Sequence, residues 1–154
     1  MTGAELPFEP EAPATTAAMP ANGFDVDQPF DADGLHALRA TLAAHASSLG
    51  APAEQIEQLV IVASELATNV IRHGGGTGQV RLWHHGRTLF CQVSDRGPGL
   101  SDVTVGSHKP ELHATDGRGM WIIRSVATDV TIEPGHDLRG TVITVTIAHP
   151  ADRP

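Results

Sequence analysis

Between Leu59 and Ile71 the chain carries one charged residue, Glu65, where a solvated helix face would hold several Lys, Glu or Arg. Within that run Glu65, Asn69 and His73 recur every four residues. At about 100° of rotation per residue each step of four advances a side chain by only about 40°, so the three form one polar stripe on an apolar helix. A carboxylate in such a place is costly without a partner, and a cation-loaded ligand is one way to supply it.

The rest of the pattern arranges itself around this helix. Phe24 to Phe30 reads as a short edge strand, because Pro29 is tolerated only at an edge or an end. Asp33 can cap a first helix whose apolar face is Leu35, Leu38, Leu42, Ala46 and Leu49, ended by Gly50 and Pro52. The second helix starts near Pro52, buries Ile56, Leu59, Val60, Ala63, Leu66 and Val70, and breaks at Gly74-Gly75-Gly76. Alternation at spacing two then takes over in 79–84 and 88–94 around a turn at His85-Gly86-Arg87, which is a hairpin. Residues 95–116 lack either period and form a long loop, a length associated with function. A third helix covers 117–127 with Asp116 as its cap, and strands at 129–133 and 141–147 close the domain. The expected fold is α+β: a two-layer α/β sandwich with a mixed or antiparallel sheet covered on one face by three helices.

With 154 residues and 40% hydrophobic content, one core is affordable in size and two are not. The expectation is a disordered tail over 1–22, rich in Pro and Ala and without hydrophobic period, followed by one domain over 23–150. No apolar run reaches spanning length and no secretory pattern is present, so no membrane association is expected. Eighteen Asp plus Glu against ten Lys plus Arg give a net charge of −8, which opposes direct nucleic-acid binding and favours a protein or small-molecule partner. The single cysteine, Cys91, fits a reducing cytoplasm and a packing role. His84 and His85 point to opposite faces of a strand, and the nine histidines show no metal-ligand spacing.

Two glycine-rich stretches complete the pattern. Asp95-Arg96-Gly97-Pro98-Gly99 places an acceptor at a strand end beside backbone that a flat group can approach closely. Gly117-Arg118-Gly119 opens a helix, where free N–H groups and the dipole favour an anion. Each alone reads equally as an ordinary turn or helix entry.

In order and spacing, the set resembles the ATP-binding module of gyrase, heat-shock chaperones, histidine kinases and mismatch-repair ATPases, the GHKL or Bergerat fold. The resemblance spans residues 33–148 through Glu65, Asn69 and His73, then Asp95, Gly97 and Gly99, then Gly117 and Gly119, and finally Arg139-Gly140-Thr141. The run Ser64-Glu-Leu-Ala-Thr-Asn-Val-Ile-Arg-His-Gly74 is most similar to the small bacterial anti-sigma-factor serine kinases. That likeness implies ATP and Mg²⁺ as cofactors. It makes Asn69 an oxygen ligand of the metal and Glu65 the base for the attacking hydroxyl. It assigns Asp95, with Thr141 as a second contact, to adenine. Gly97 and Gly99 would admit the nucleotide, Gly117, Arg118, Gly119 and Met120 would cradle phosphates, and His73 would flank the site, where it also suits the helix C-terminus.

It further implies phosphorylation of an anti-anti-sigma protein of STAS type, binding of a sigma factor and a homodimer, although no coiled coil or apolar stripe in the sequence speaks for dimerisation. Only 17 residues, 100–116, separate the two glycine boxes, leaving little room for an elaborate lid. No helical pair with a phospho-accepting histidine precedes the boxes and no second domain follows, so the expectation is a free-standing nucleotide module. The same residues would serve an ATP-held switch without phosphoryl transfer, and a scaffold with ordinary turns is the third reading.

Overall fold

A computed structural model describes residues 19–20, 23–97, 118–135 and 139–153. The 95–116 loop from Pro98 onward, Asp116 as a cap, and almost all of the 1–22 tail lie outside the described residues.

The first strand, β1 (Val26–Asp31), leads through a 3-10 turn (Ala32–Gly34) into α1 (Leu35–Ser48). Asp31, rather than Asp33, makes a cap, and it caps the 3-10 turn: its Oδ1 accepts the Gly34 N–H at 3.1 Å, while α1 itself starts after Gly34 without a side-chain cap. Asp33 instead lies inside the 3-10 turn, because the chain tightens by one turn before the helix begins. Leu38, Leu42 and Ala46 form the buried stripe of α1, and Gly50, at φ +89°, ends it in the left-handed conformation that suits glycine.

The long helix α2 spans Ala53–His73. It has Glu54 in its first turn and Arg72 and His73 in its last, a charge order that complements the helix dipole. Its buried face is Gln55, Leu59, Val62, Ala63, Leu66, Ala67 and Val70, whereas Ile56 and Val60 are only half-buried. The face is therefore rotated from the one the apolar residues alone suggest. The reason is Gln55: its Nε2 donates to the carbonyls of Arg87 and Ile147, both at 2.9 Å. The amide stitches the start of α2 to the turn at Gly86-Arg87 and to the end of the last strand.

Strands β2 (Thr77–His85) and β3 (Thr88–Asp95) form the hairpin, α3 (Arg118–Val126) follows, and β4 (Asp129–Pro134) and β5 (Thr141–Ile147) complete the chain. Among the described residues the sheet is five-stranded in the order β1-β2-β3-β5-β4, and every pairing is antiparallel. Pro29 sits on β1, an edge strand, as the sequence requires. Rows such as Leu82–Cys91–Val145 and Val80–Val93–Ile143 are in register across the three central strands and belong to the core shared with the helices. Since strand side chains alternate faces, Trp83, Phe90 and Thr146 form a row on the opposite side.

That outer face has packing of its own. Trp83 is fully buried. It meets Phe24 edge-on and stacks on Phe90, each at 5.5 Å between ring centroids, while Arg81 lies 4.7 Å over the Phe24 ring. Gln92 donates to Thr144 Oγ1 at 3.0 Å beside them. Among the described residues no helix is long and apolar enough to cross a membrane.

Gln55→Leu is expected to lower stability by about 1–3 kcal/mol, although it adds apolar area, because two carbonyls lose their donor. Urea unfolding of the two proteins measures this. An unchanged midpoint would mean that those carbonyls have other donors.

Candidate functional site

The polar stripe of α2 behaves as the spacing requires over two of its three turns. Glu65 and Asn69 are half-buried, while His73 is exposed in the last turn. Ser64, beside Glu65, accepts the Arg39 Nε–H at 2.8 Å, which ties α1 to α2 at this level. What covers Glu65 and Asn69 is the first turn of α3. A Cβ on Gly119 would lie 2.9 Å from Glu65 Oε1, 3.4 Å from Asn69 Oδ1 and 3.7 Å from Asn69 Nδ2. Only a residue without a side chain allows the helix start to press so closely on a carboxylate and an amide. The first turn of a helix carries N–H groups with no intrahelical partner, so donors and dipole collect beside these two acceptors. Met120 and Ile123 are buried in the core and anchor α3.

A second cluster forms where β3 ends. Asp95 is in register with Gly78 on β2 and Thr141 on β5. Its Oδ1 accepts the Gly97 N–H at 2.8 Å. Burial pushes the Asp95 carboxyl above its ordinary value of 3.8, while the N–H groups of Gly97 and Thr141 pull it back in part. Thr141 is itself buried.

Glycines pack this carboxylate from several directions. A Cβ on Gly74 would fall 2.7 Å from Asp95 Cγ, and one on Gly97 would fall 2.5 Å from the Gly74 Cα. Gly140, at φ +71°, would place a Cβ 1.9 Å from the Asp95 carbonyl oxygen. The last point explains the Arg139-Gly140-Thr141 sequence: both the left-handed backbone and the contact demand glycine there.

Helix α2 joins the two clusters, since Glu65 and Asn69 project from it and Gly74 terminates it against Asp95. The nine helical steps between Glu65 and Gly74 span about 13 Å. The arrangement suits an elongated ligand with a hydrogen-bonding flat group at the Asp95 end and negative charge at the Gly119 end. Gly99 and Gly117 lie outside the described residues, and Arg118 is exposed at the start of α3. Gly74 is a site residue that sequence reasoning missed as such, and Gly140 was legible only as part of the Arg139-Gly140-Thr141 motif. Gly74 looked like a helix terminator, and only its contact with a residue distant in sequence reveals the second demand.

Two other features carry no chemistry here. Cys91 is buried, and burial pushes its thiol up to about 12, so it remains a protonated packing group. The hollow lined by Gln55, His84, Arg87 and His149 is at the hairpin-turn end of the sheet, away from Asp95.

A family model described as a histidine kinase-like ATPase domain matches residues 29–147. An anti-sigma F factor of Bacillus velezensis is 27% identical over 118 residues, covering 70% of this chain and 80% of that protein. An anti-sigma F factor of Clostridium acetobutylicum is 28% identical over 104 residues, with 62% and 72% covered. Among solved structures, the catalytic domain of the histidine kinase ThkA aligns with a TM-score of 0.49 at 14% identity, covering 80% of this chain and 97% of that one.

A carboxyl that binds its proton more tightly when folded adds stability below its unfolded value and loses that contribution as pH rises through the folded value. The contribution of Asp95 to stability is therefore expected to fall as pH rises from about 3.8. Asp95→Asn, which cannot ionise, should lack that component. Unfolding midpoints of both proteins across the acid range measure the difference, and parallel profiles would contradict the burial of this charge.

Proposed function

The chain belongs to the histidine kinase-like ATPase domain family through residues 29–147, and we propose that it is an ATP-dependent serine/threonine protein kinase acting as an anti-sigma factor. In this reading it phosphorylates an anti-anti-sigma protein of STAS type and sequesters a sigma factor, as a homodimer in the cytoplasm. The observation that carries the proposal is the approach of the Gly119 backbone to Glu65 and Asn69. It gathers a carboxylate, an amide oxygen and a helix N-terminus along α2, the helix that ends against Asp95. The curated relatives bearing the name anti-sigma F factor support the regulatory class.

Each residue then has a task. The Asp95 carboxylate accepts a hydrogen bond from the adenine amino group, with Thr141 beside it, and the Gly97 and Gly99 backbone admits the base and sugar. Gly117, Arg118, Gly119 and the Met120 N–H face the phosphates, where the helix dipole favours negative charge. His73, exposed at the end of α2, flanks the same site. Asn69 Oδ1 fits Mg²⁺, a hard cation that takes few protein oxygens and fills its other positions from phosphate and water. Such a site needs no cluster of acidic or imidazole ligands. When bound, Mg²⁺ supplies positive charge that offsets the phosphate oxygens.

Glu65 takes the proton of the partner's hydroxyl as its oxygen bonds to the γ-phosphorus and ADP departs. Most of the acceleration comes from positioning and from charge placed in advance. The same geometry would bind ATP in a switch that transfers nothing, so the decisive readout is phosphate on the partner.

Incubation with radiolabelled ATP and candidate partner proteins is expected to label a serine or threonine of one of them. Glu65→Gln should slow that transfer by about 10²-fold or more with nucleotide affinity little changed, and transfer at the wild-type rate would remove the catalytic role. Asp95→Asn should weaken ATP binding in calorimetry by about tenfold, in line with loss of a charge-assisted hydrogen bond. Binding without any transfer would favour the switch.

A further inference from the structure

Gly74 stands at the end of α2 with φ −107° and ψ 21°, a conformation open to residues with a side chain. Its backbone therefore gives no reason for glycine. Its surroundings do. A Cβ built there would lie 2.7 Å from Asp95 Cγ, 2.8 Å from Oδ2 and 3.1 Å from Cβ, inside the distance at which carbon and oxygen atoms repel. Neither side can yield easily. Gly74 is held by its N–H bond to the Val70 carbonyl at 2.8 Å, and Asp95 Oδ1 is tied to the Gly97 N–H at 2.8 Å. The Gly97 turn is itself packed against the Gly74 backbone. A methyl group at position 74 must push the carboxylate off that hydrogen bond and away from its present direction.

We infer that Gly74 is a positioning residue for nucleotide-base discrimination: its missing side chain leaves the space in which the Asp95 carboxylate is held toward the base. This rests on the reading of Asp95 as the adenine acceptor. A site built to hydrogen-bond one substrate group rejects analogues lacking it, because its buried polar group is then left unpaired. That rejection requires the acceptor to be in place before the ligand arrives. Gly74 therefore acts through Asp95, at the joint where the phosphate-facing helix meets the base-facing strand.

Equilibrium titration with ATP and with inosine triphosphate, which has a keto oxygen in place of the amino group, tests the inference. Wild-type protein is expected to prefer ATP by about tenfold or more, and Gly74→Ala to bring the ratio near one. A general loss of packing would weaken both nucleotides and leave the ratio. If the wild type shows the preference and Gly74→Ala keeps it, the role of Gly74 is overturned while the adenine reading stands. If the wild type itself does not discriminate, the adenine reading falls and the inference falls with it.

Because Gly74→Ala can also unfold the chain, Gly74→Ala/Asp95→Ala is the companion variant. Removing the carboxylate removes the two shortest contacts, so the double variant is expected to unfold at higher urea than Gly74→Ala alone. A double variant no more stable than the single one would mean that the crowding does not lie at Asp95, and would overturn the inference.

Discussion

The contact between the end of α2 and the end of β3 is the constraint on which the site depends. Gly74 and Gly97 bring two backbones so close that a Cβ on Gly97 would collide with the Gly74 backbone, and one on Gly74 would collide with the Asp95 side chain. No side-chain packing achieves such a short separation. That contact fixes Asp95 relative to the helix bearing Glu65 and Asn69. Asp95 and the Glu65–Asn69 pair are parts of one frame: a helix whose opposite face is buried in the core, and a central strand bonded on both sides.

The core makes that frame stiff. Leu59, Val62, Leu66 and Val70 on α2 join the same buried cluster as Val80, Leu82, Cys91, Val93, Ile143 and Val145 on the central strands. Gln55 adds two directional bonds at the start of the helix, so α2 is held at both ends. At the first end an amide meets carbonyls, and at the second a glycine meets a carboxylate. A helix pinned in this way cannot slide along the sheet, and the stripe of Glu65 and Asn69 keeps its height relative to Asp95. Sites built on elements held like this are more exact than sites on loops.

The outer face of the sheet departs from the simplest two-layer picture. Trp83 is completely buried on the side away from the helices, with Phe24 and Phe90 as aromatic neighbours. Strand alternation announces which way Trp83 points, but it does not say that this face would be covered. The rotated buried face of α2 is a similar case. Counting apolar residues favours Ile56 and Val60 over Gln55, whereas the amide finds two acceptors on other elements and goes inside. The cap at Asp31 rather than Asp33 has a local cause, a 3-10 turn placed before α1 that residue preference alone does not reveal.

Local pattern in the chain was enough to place most of the elements and to align the candidate site residues on them. A change of hydrophobic period from 3.6 to 2 marks where helix gives way to strand, steps of four residues align Glu65 with Asn69, and ordered motifs carry the resemblance to an ATP-binding family. These are local properties, set by rotation per residue and by what glycine, proline and aspartate do to nearby backbone. Tertiary structure alone decided that the sheet is wholly antiparallel, that Gly119 closes over Glu65 and Asn69, and that Gly74, Gly97 and Gly140 surround Asp95. Those contacts join residues far apart along the chain, and their strength comes from excluded volume and burial, which exist only once the layers have packed.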